Sequence, residues 1–207
     1  MASLPDKIMK RVRGHGRGNW VCTPKDFLDL GGRDAVDQAL SRLVRHGKLR
    51  RVGRGLYDLP RVSAALKRPV PANVDAVVRA LRRKDNIDVM PDGIVAAHGL
   101  GLTNAVPAKA SYVTNGASRT VAVGRRTIHL RRVPPRVMAW HDRPGAPVVQ
   151  ALRWLGPQLA SSPEVVALLS AHLTDDVKKD LQRDIHLLPS WAISIVTEVL
   201  SADRVAA

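Results

Sequence analysis

Cysteine is almost absent: Cys22 is the single one in 207 residues. That excludes an internal disulfide framework and leaves no cysteine cluster for zinc. Aromatic residues make up only 3% of the chain, so Leu, Val, Ile and Ala must build its cores. There is no long apolar span, no basic amphipathic helix rich in large apolar residues and no lipidation signal, which argues against a membrane partner. The amino terminus lacks the apolar core of a signal peptide. Together these absences lead us to expect a cytoplasmic protein. Acidic residues are also short: 18 of them face 33 Lys and Arg, a net charge of +15. An excess of that size calls for a polyanionic partner.

The positive charge is unevenly spread. Residues 1–68 carry 16 basic and 6 acidic side chains, leaving 17 and 12 for residues 69–207. Two thirds of the excess therefore sits in the first third of the chain. Within it, Gly32 to Pro60 holds the most informative pattern. At about 100° per residue, Ala35, Val36, Ala39, Leu40, Leu43 and Val44 fall on one side of a helix. Asp34, Asp37, Gln38, Ser41 and Arg45 gather on the other, with Arg42 at its edge. Gly47 then supplies a left-handed helix end. A hairpin is expected next, running from Lys48 to Val52, through Gly53-Arg54-Gly55, and back along Leu56 to Leu59.

Upstream, Leu4, Ile8, Met9 and Val12 mark a first helix capped by Ser3. The loop Gly14 to Gly18 follows a helix and lacks the Lys-Ser/Thr ending of a phosphate cradle, so it reads as a turn. Trp20-Val21-Cys22 is a short extended run. Thr23-Pro24-Lys25-Asp26 opens a second helix, with Phe27, Leu28 and Leu30 on its apolar side. Helix, strand, helix, turn, helix and hairpin is the order of a winged helix-turn-helix. In that geometry the helix after Gly32 enters the major groove. Arg33, Gln38, Ser41, Arg42 and Arg45 then lie on the DNA side, with Gln38 suited to adenine and Arg33 or Arg42 to guanine. Lys48, Arg50, Arg51 and Arg54 of the hairpin are expected on phosphates, with Arg54 reaching a narrow minor groove.

Three prolines within residues 60–72 make residues 61–72 a linker. The expected organisation is α+β: a winged helix-turn-helix over 1–60, the linker, and a second α+β domain over 73–207. In the second domain a helix runs from Val74 to Arg83, Asp85 to Gly93 is turn-rich, and Ile94 to Leu102 forms a small-residue helix with His98 among apolar neighbours. The period then alternates through Tyr112–Thr114, a turn at Asn115-Gly116, Val121–Val123, a turn at Gly124-Arg125, and Ile128–Leu130. This makes a small antiparallel sheet with Thr127, His129 and Arg131 on one face and further arginines, among them Arg125 and Arg126, at its margin. No aromatic side chain interrupts that basic face, so stacking on RNA bases is not indicated. From Pro147 the chain is helical again. Asp176, Asp180 and Asp184 share a helix face, but neighbouring Lys178, Lys179 and Arg183 make charge pairing the better account than metal. Asp85, Asp88 and Asp92 lack the accompanying Glu-x-Lys of a nuclease. Neither an enzymatic activity nor a cofactor is expected.

Several stretches resemble a known family, the AbiEi-type antitoxins of type IV toxin–antitoxin systems. They are KIMKRVRGHGRGNWVCTPKDFLDLG, DQALSRLVRHGKLRRVGRGLYDLPR, AAHGLGLTNAVPAKASYVTNGASRTVAVGRRTIHLRR and DLQRDIHLLPSWAISIV, so the resemblance covers nearly the whole chain. Gly31-Gly32-Arg33 departs from the Gly-Ser-Arg often found there, which removes a hydroxyl cap from the helix that follows. The resemblance implies a winged-helix domain that binds double-stranded operator DNA and represses its own operon. It also implies a second domain that counteracts a nucleotidyltransferase toxin, without requiring a stable complex. Arg125, Arg126 and Arg131 are the surface on which that second activity is expected. The rival expectation is a winged-helix transcriptional regulator with no toxin partner.

Overall fold

The computed structural model describes residues 2–65, 67–107 and 109–205. The fold is α+β, and the chain divides into two compact units. The first comprises residues 1–87 together with Thr120–Ile128; the second comprises Asp88–Arg119 and residues 129–207.

The first unit begins with α1 (Leu4–Gly14), where Ser3 and Asp6 form a reciprocal capping box that satisfies two otherwise orphaned amide groups. Strand β1 (Val21–Cys22) follows, then a single 3-10 turn over Pro24–Phe27 rather than the expected second helix. The start signal is genuine: the Thr23 amide donates to the Asp26 carboxylate at 2.8 Å. What is missing is length. Gly31-Gly32 lies only a few residues on, Leu28 is 46% exposed, and Asp29 is drawn to Arg11 in a two-pronged pair at 2.7 and 2.5 Å. That pair holds the Asp29 carboxyl below the usual carboxylate range.

Helix α2 (Arg33–Arg45) buries Val36, Ala39, Leu40 and Leu43 against Ile8, Met9, Val12 and Phe27. Ala35, expected on that side, is exposed. Gly32 caps the helix with no side-chain hydrogen bond. At the other end Gly47 takes φ +65°, while the Gly47 and Lys48 amides donate to Val44 and Leu43 carbonyls. This pairing of bonds closes a helix with a left-handed residue, a conformation that costs glycine least. Strands β2 (Arg50–Gly53) and β3 (Leu56–Asp58) form the hairpin, and β1 pairs with β3 in the order β1-β3-β2. Cys22 is enclosed in this core, and burial pushes its thiol up to about 12, so it stays protonated and unreactive.

The described residues of 61–72 are held by hydrogen bonds and are not a free tether. The Val70 amide donates to the Arg61 carbonyl at 2.8 Å, the Ser63 amide to Arg68 at 3.0 Å, and Val62 bridges Pro69. Helix α3 (Val74–Asp85), expected in the second domain, belongs to the first unit. Its Arg83 pairs with Asp26 and donates to the Val21 carbonyl at 2.8 Å. Its Lys84 donates to the Arg54 carbonyl at 3.0 Å.

In the second unit, β4 (Val89–Pro91) occupies part of the stretch expected to be turns. It pairs antiparallel with β5 (Ala110–Thr114) in a sheet that also contains β6 (Arg119–Val123) and β7 (Arg126–Arg132), in the order β4-β5-β7-β6. Asn115-Gly116 therefore does not close a hairpin between adjacent strands, because β7 lies between β5 and β6. The Asn115 side chain instead holds Asp88, accepting from its amide at 2.9 Å and donating to its carboxylate at 3.0 Å. Helix α4 (Gly93–Gly99) leaves His98 exposed, not among apolar neighbours. The rest is helical: α5 (Pro135–Met138), α6 (Ala146–Ala160), α7 (Pro163–His172), α8 (Asp175–Arg183) and α9 (Ser190–Val205). Their apolar sides enclose Trp140, Leu152, Leu169, Leu181 and Leu188. Among the described residues, no helix is long and apolar enough to cross a membrane.

Candidate nucleic-acid interface

Helix α2 sorts its residues cleanly. The side that carries Val36, Ala39, Leu40 and Leu43 is buried, whereas Arg33, Gln38, Ser41, Arg42 and Arg45 are all exposed. Arg33 forms an i,i+4 pair with Asp37 at 2.8 Å. Both partners face solvent, so the pair is weak and easily exchanged for another anion. Gln38, Ser41, Arg42 and Arg45 take no partner among the described residues. The early and middle turns of the helix thus present amide, hydroxyl and guanidinium groups together.

The hairpin contributes Lys48, Arg51 and Arg54, also exposed. Arg54 and Gly55 form the connection between β2 and β3, with Gly55 at φ +67°. The Lys84 bond to the Arg54 carbonyl fixes the turn while leaving the Arg54 side chain in solvent.

Arg50 behaves differently. It grips Asp58 through two bonds of 3.0 and 2.6 Å and donates a third, of 2.8 Å, to the Val70 carbonyl. Asp58 is only 1% exposed, so the pair is a fixed internal strut. A buried carboxylate with no cation would be costly, and Arg50 is occupied in preventing that. It is therefore not a free phosphate ligand.

Arg125, Arg126 and Arg131 are exposed but do not form one surface within either unit. Arg131 belongs to the second unit and pairs with Asp92 at 2.9 Å. Arg125 sits in the β6–β7 turn and Arg126 opens β7, both within the first unit. There the Gly124 amide donates to the Val52 carbonyl at 3.1 Å, and the two arginines line a cleft of about 710 Å³ with Arg50, Arg51 and Arg68.

Residues 7–181 match a protein family described only as a family of unknown function, DUF6088. The chain belongs to that family. No curated protein matches the chain. Among solved structures, it is similar to the crystal structure of RV2827C protein from Mycobacterium tuberculosis. The identity is 18%, with 97% of this chain and 77% of that one covered and a TM-score of 0.49.

The span shared with the DUF6088 family takes in α2, the hairpin and the arginine cleft, and stops before α9. Arg61 and Arg68 were not expected at any site. They lie in the proline-rich stretch read as a tether, and only their charge marked them. The convergence of Arg68 with Arg125, and of Arg61 with Arg126, depends on the chain returning after many intervening residues, which no local period reports.

Proposed function

We propose that the first unit is a winged helix-turn-helix that binds double-stranded operator DNA. In this reading the protein is an antitoxin that represses its own operon and opposes a nucleotidyltransferase toxin. The observation that carries the DNA reading is the sorting of α2: its apolar side is buried and its Gln, Ser and Arg side is wholly exposed. A solvated helix face needs no such company. Here it is followed by a hairpin whose exposed Lys48, Arg51 and Arg54 would meet the phosphates on either side. The antitoxin half rests on the resemblance to AbiEi-type antitoxins. It would be abandoned if co-expression of the full chain failed to relieve growth arrest by the toxin encoded beside it.

Titration of operator DNA tests the first half. Arg42→Ala should cost about 1–3 kcal/mol, and Gln38→Ala should relax preference at one base pair. Unchanged operator affinity in both variants would remove α2 from the groove. In the same titrations Arg54→Ala should weaken binding across all sequences and reduce the dependence of log affinity on log salt by about one unit. A wild-type slope in that variant would place the hairpin turn off the DNA.

A further inference from the structure

Beside the cleft of about 710 Å³ lies a second depression of about 400 Å³, and the two share Arg50, Val70, Pro71, Ala72 and Arg126. Arg17 and Arg61 line the second; Arg51, Arg68 and Arg125 line the first. Among the described residues, no carboxylate lines either one, and Arg126 is the free cation common to both, since Arg50 is taken by Asp58. No residue of α2 contributes to them, so this surface is separate from the helix face read above.

The walls are held in place by hydrogen bonds to backbone carbonyls. Arg50 ties β2 to the Val70 carbonyl, Val70 closes on Arg61, and Gly124 closes on Val52. A Cβ at Gly53 would stand 3.0 Å from the Ala122 carbonyl oxygen, so the hairpin and the β6–β7 turn approach as closely as glycine permits. Arg61, Arg68, Arg125 and Arg126 are exposed, and their side chains have no partner among the described residues. Like charges are thus gathered at a preformed concavity with nothing to offset them, an arrangement that gains most when an anion enters.

We infer that this paired cleft binds the backbone of a single nucleic-acid strand. Cavities of a few hundred cubic ångströms accept nucleotide-sized groups, whereas a duplex is too broad to enter them. Two joined depressions with arginine throughout suit consecutive phosphates better than one. Val52, Val70, Pro69 and Pro71 give an apolar floor for sugar and base faces. Among the described residues, no aromatic lines either depression, so stacking contributes little. Binding is then sequence-indifferent and carried by charge.

The test uses the full chain and a labelled 12-nucleotide deoxythymidine strand, with affinity followed against salt. Arg68, Arg125 and Arg126 are changed together to alanine; all three are exposed, and circular dichroism checks the fold. Binding of the strand should fall at least about tenfold and the salt slope by about two units, while Lys179→Ala, which removes an exposed cation outside both depressions, leaves both unchanged. Wild-type strand affinity in the triple variant overturns the proposal, as does failure of the native chain to bind the strand at low salt. Two competitors decide the ligand. If inorganic tripolyphosphate displaces the strand as well, phosphate for phosphate, the site is one for small polyphosphates and the strand reading fails. If a random duplex loses as much affinity as the strand in the triple variant, the cleft is part of a duplex footprint and the strand reading fails again. Arg51, which the hairpin and the cleft share, is left unchanged in every variant, and loss of operator binding in the α2 variants bears on neither result, so the two readings stand or fall separately.

Discussion

Arg143→Ala should lower the unfolding free energy of the chain by about 3–5 kcal/mol, the cost of stranding a buried ion. The ion is the Asp180 carboxylate, 5% exposed. Arg143 reaches it through bonds of 3.1 and 2.8 Å and extends to Asp184 at 2.6 Å. Its guanidinium also covers the Trp140 ring at 4.3 Å, so alanine removes packing as well as charge. The Gly145 amide, which donates to Asp180 at 3.0 Å, remains after the substitution. So does Arg183, at 2.7 Å but 67% exposed and therefore well screened. These survivors place the expected loss toward the lower end. Urea unfolding followed by circular dichroism would measure it, and a loss under 1 kcal/mol would mean that Arg183 alone suffices. Asp184 adds a pH dependence of known sign. Arg183, then Arg143, holds its carboxyl below the usual range. Its stabilising share is therefore present above the unfolded carboxylate range and is lost as pH falls through the lower folded value.

Gly93→Ala should also destabilise the protein, by about 3 kcal/mol, at the upper end for overpacking. A Cβ built at Gly93 would lie 2.4 Å from the Trp154 Cβ and 2.5 Å from the Gln150 carbonyl oxygen. The first is itself a Cβ, fixed by its own backbone, and no change of rotamer moves it. The second is backbone inside α6 and cannot rotate aside. Around it Ala96, Ala97 and Ala151 form a small-residue contact that lets α4 and α6 approach closely. Alanine is the better helix former by about 1 kcal/mol, so the two effects oppose one another. The clash is the larger, and the helices must separate. A Gly93→Ala variant as stable as the native chain, in the same urea experiment, would show that α4 shifts at little cost.

Where the chain obeys one local rule, its fold was legible. The 3.6-residue period of α2, the glycine at its end and the hairpin after it all stand where their residues place them, with Ala35 the lone misfit. The inner positions of β7, Ile128 and Leu130, are buried as their alternation requires. Illegible features depend on partners distant in sequence. Arg50 reads as one more wing cation until Asp58 and Val70 are found beside it. Residues 61–72 read as a tether because proline content says nothing of the bonds to Arg61 and Ser63. Strand β4 is too short, and ends in a proline, to show a period at all. Asp180 and Asp184 were rightly assigned to charge pairing, but Arg143, their principal partner, lies on a different segment. Of the candidate site, the exposed face of α2 was visible in the sequence, whereas the cleft was not.

The first unit needs Thr120–Ile128 as well as residues 1–87. A ribosome delivers the chain from the amino end, and early segments ordinarily fold as they emerge. Here the hairpin waits with Val52 and Gly53 lacking their neighbours until the β6–β7 turn has been made. No single cut of the gene releases this unit whole, and no single insertion could transplant it. A fragment ending at residue 68 would lack α3 and the clamp that Lys84 places on Arg54. Recombination that exchanged one half of the protein would have to carry a piece of the other.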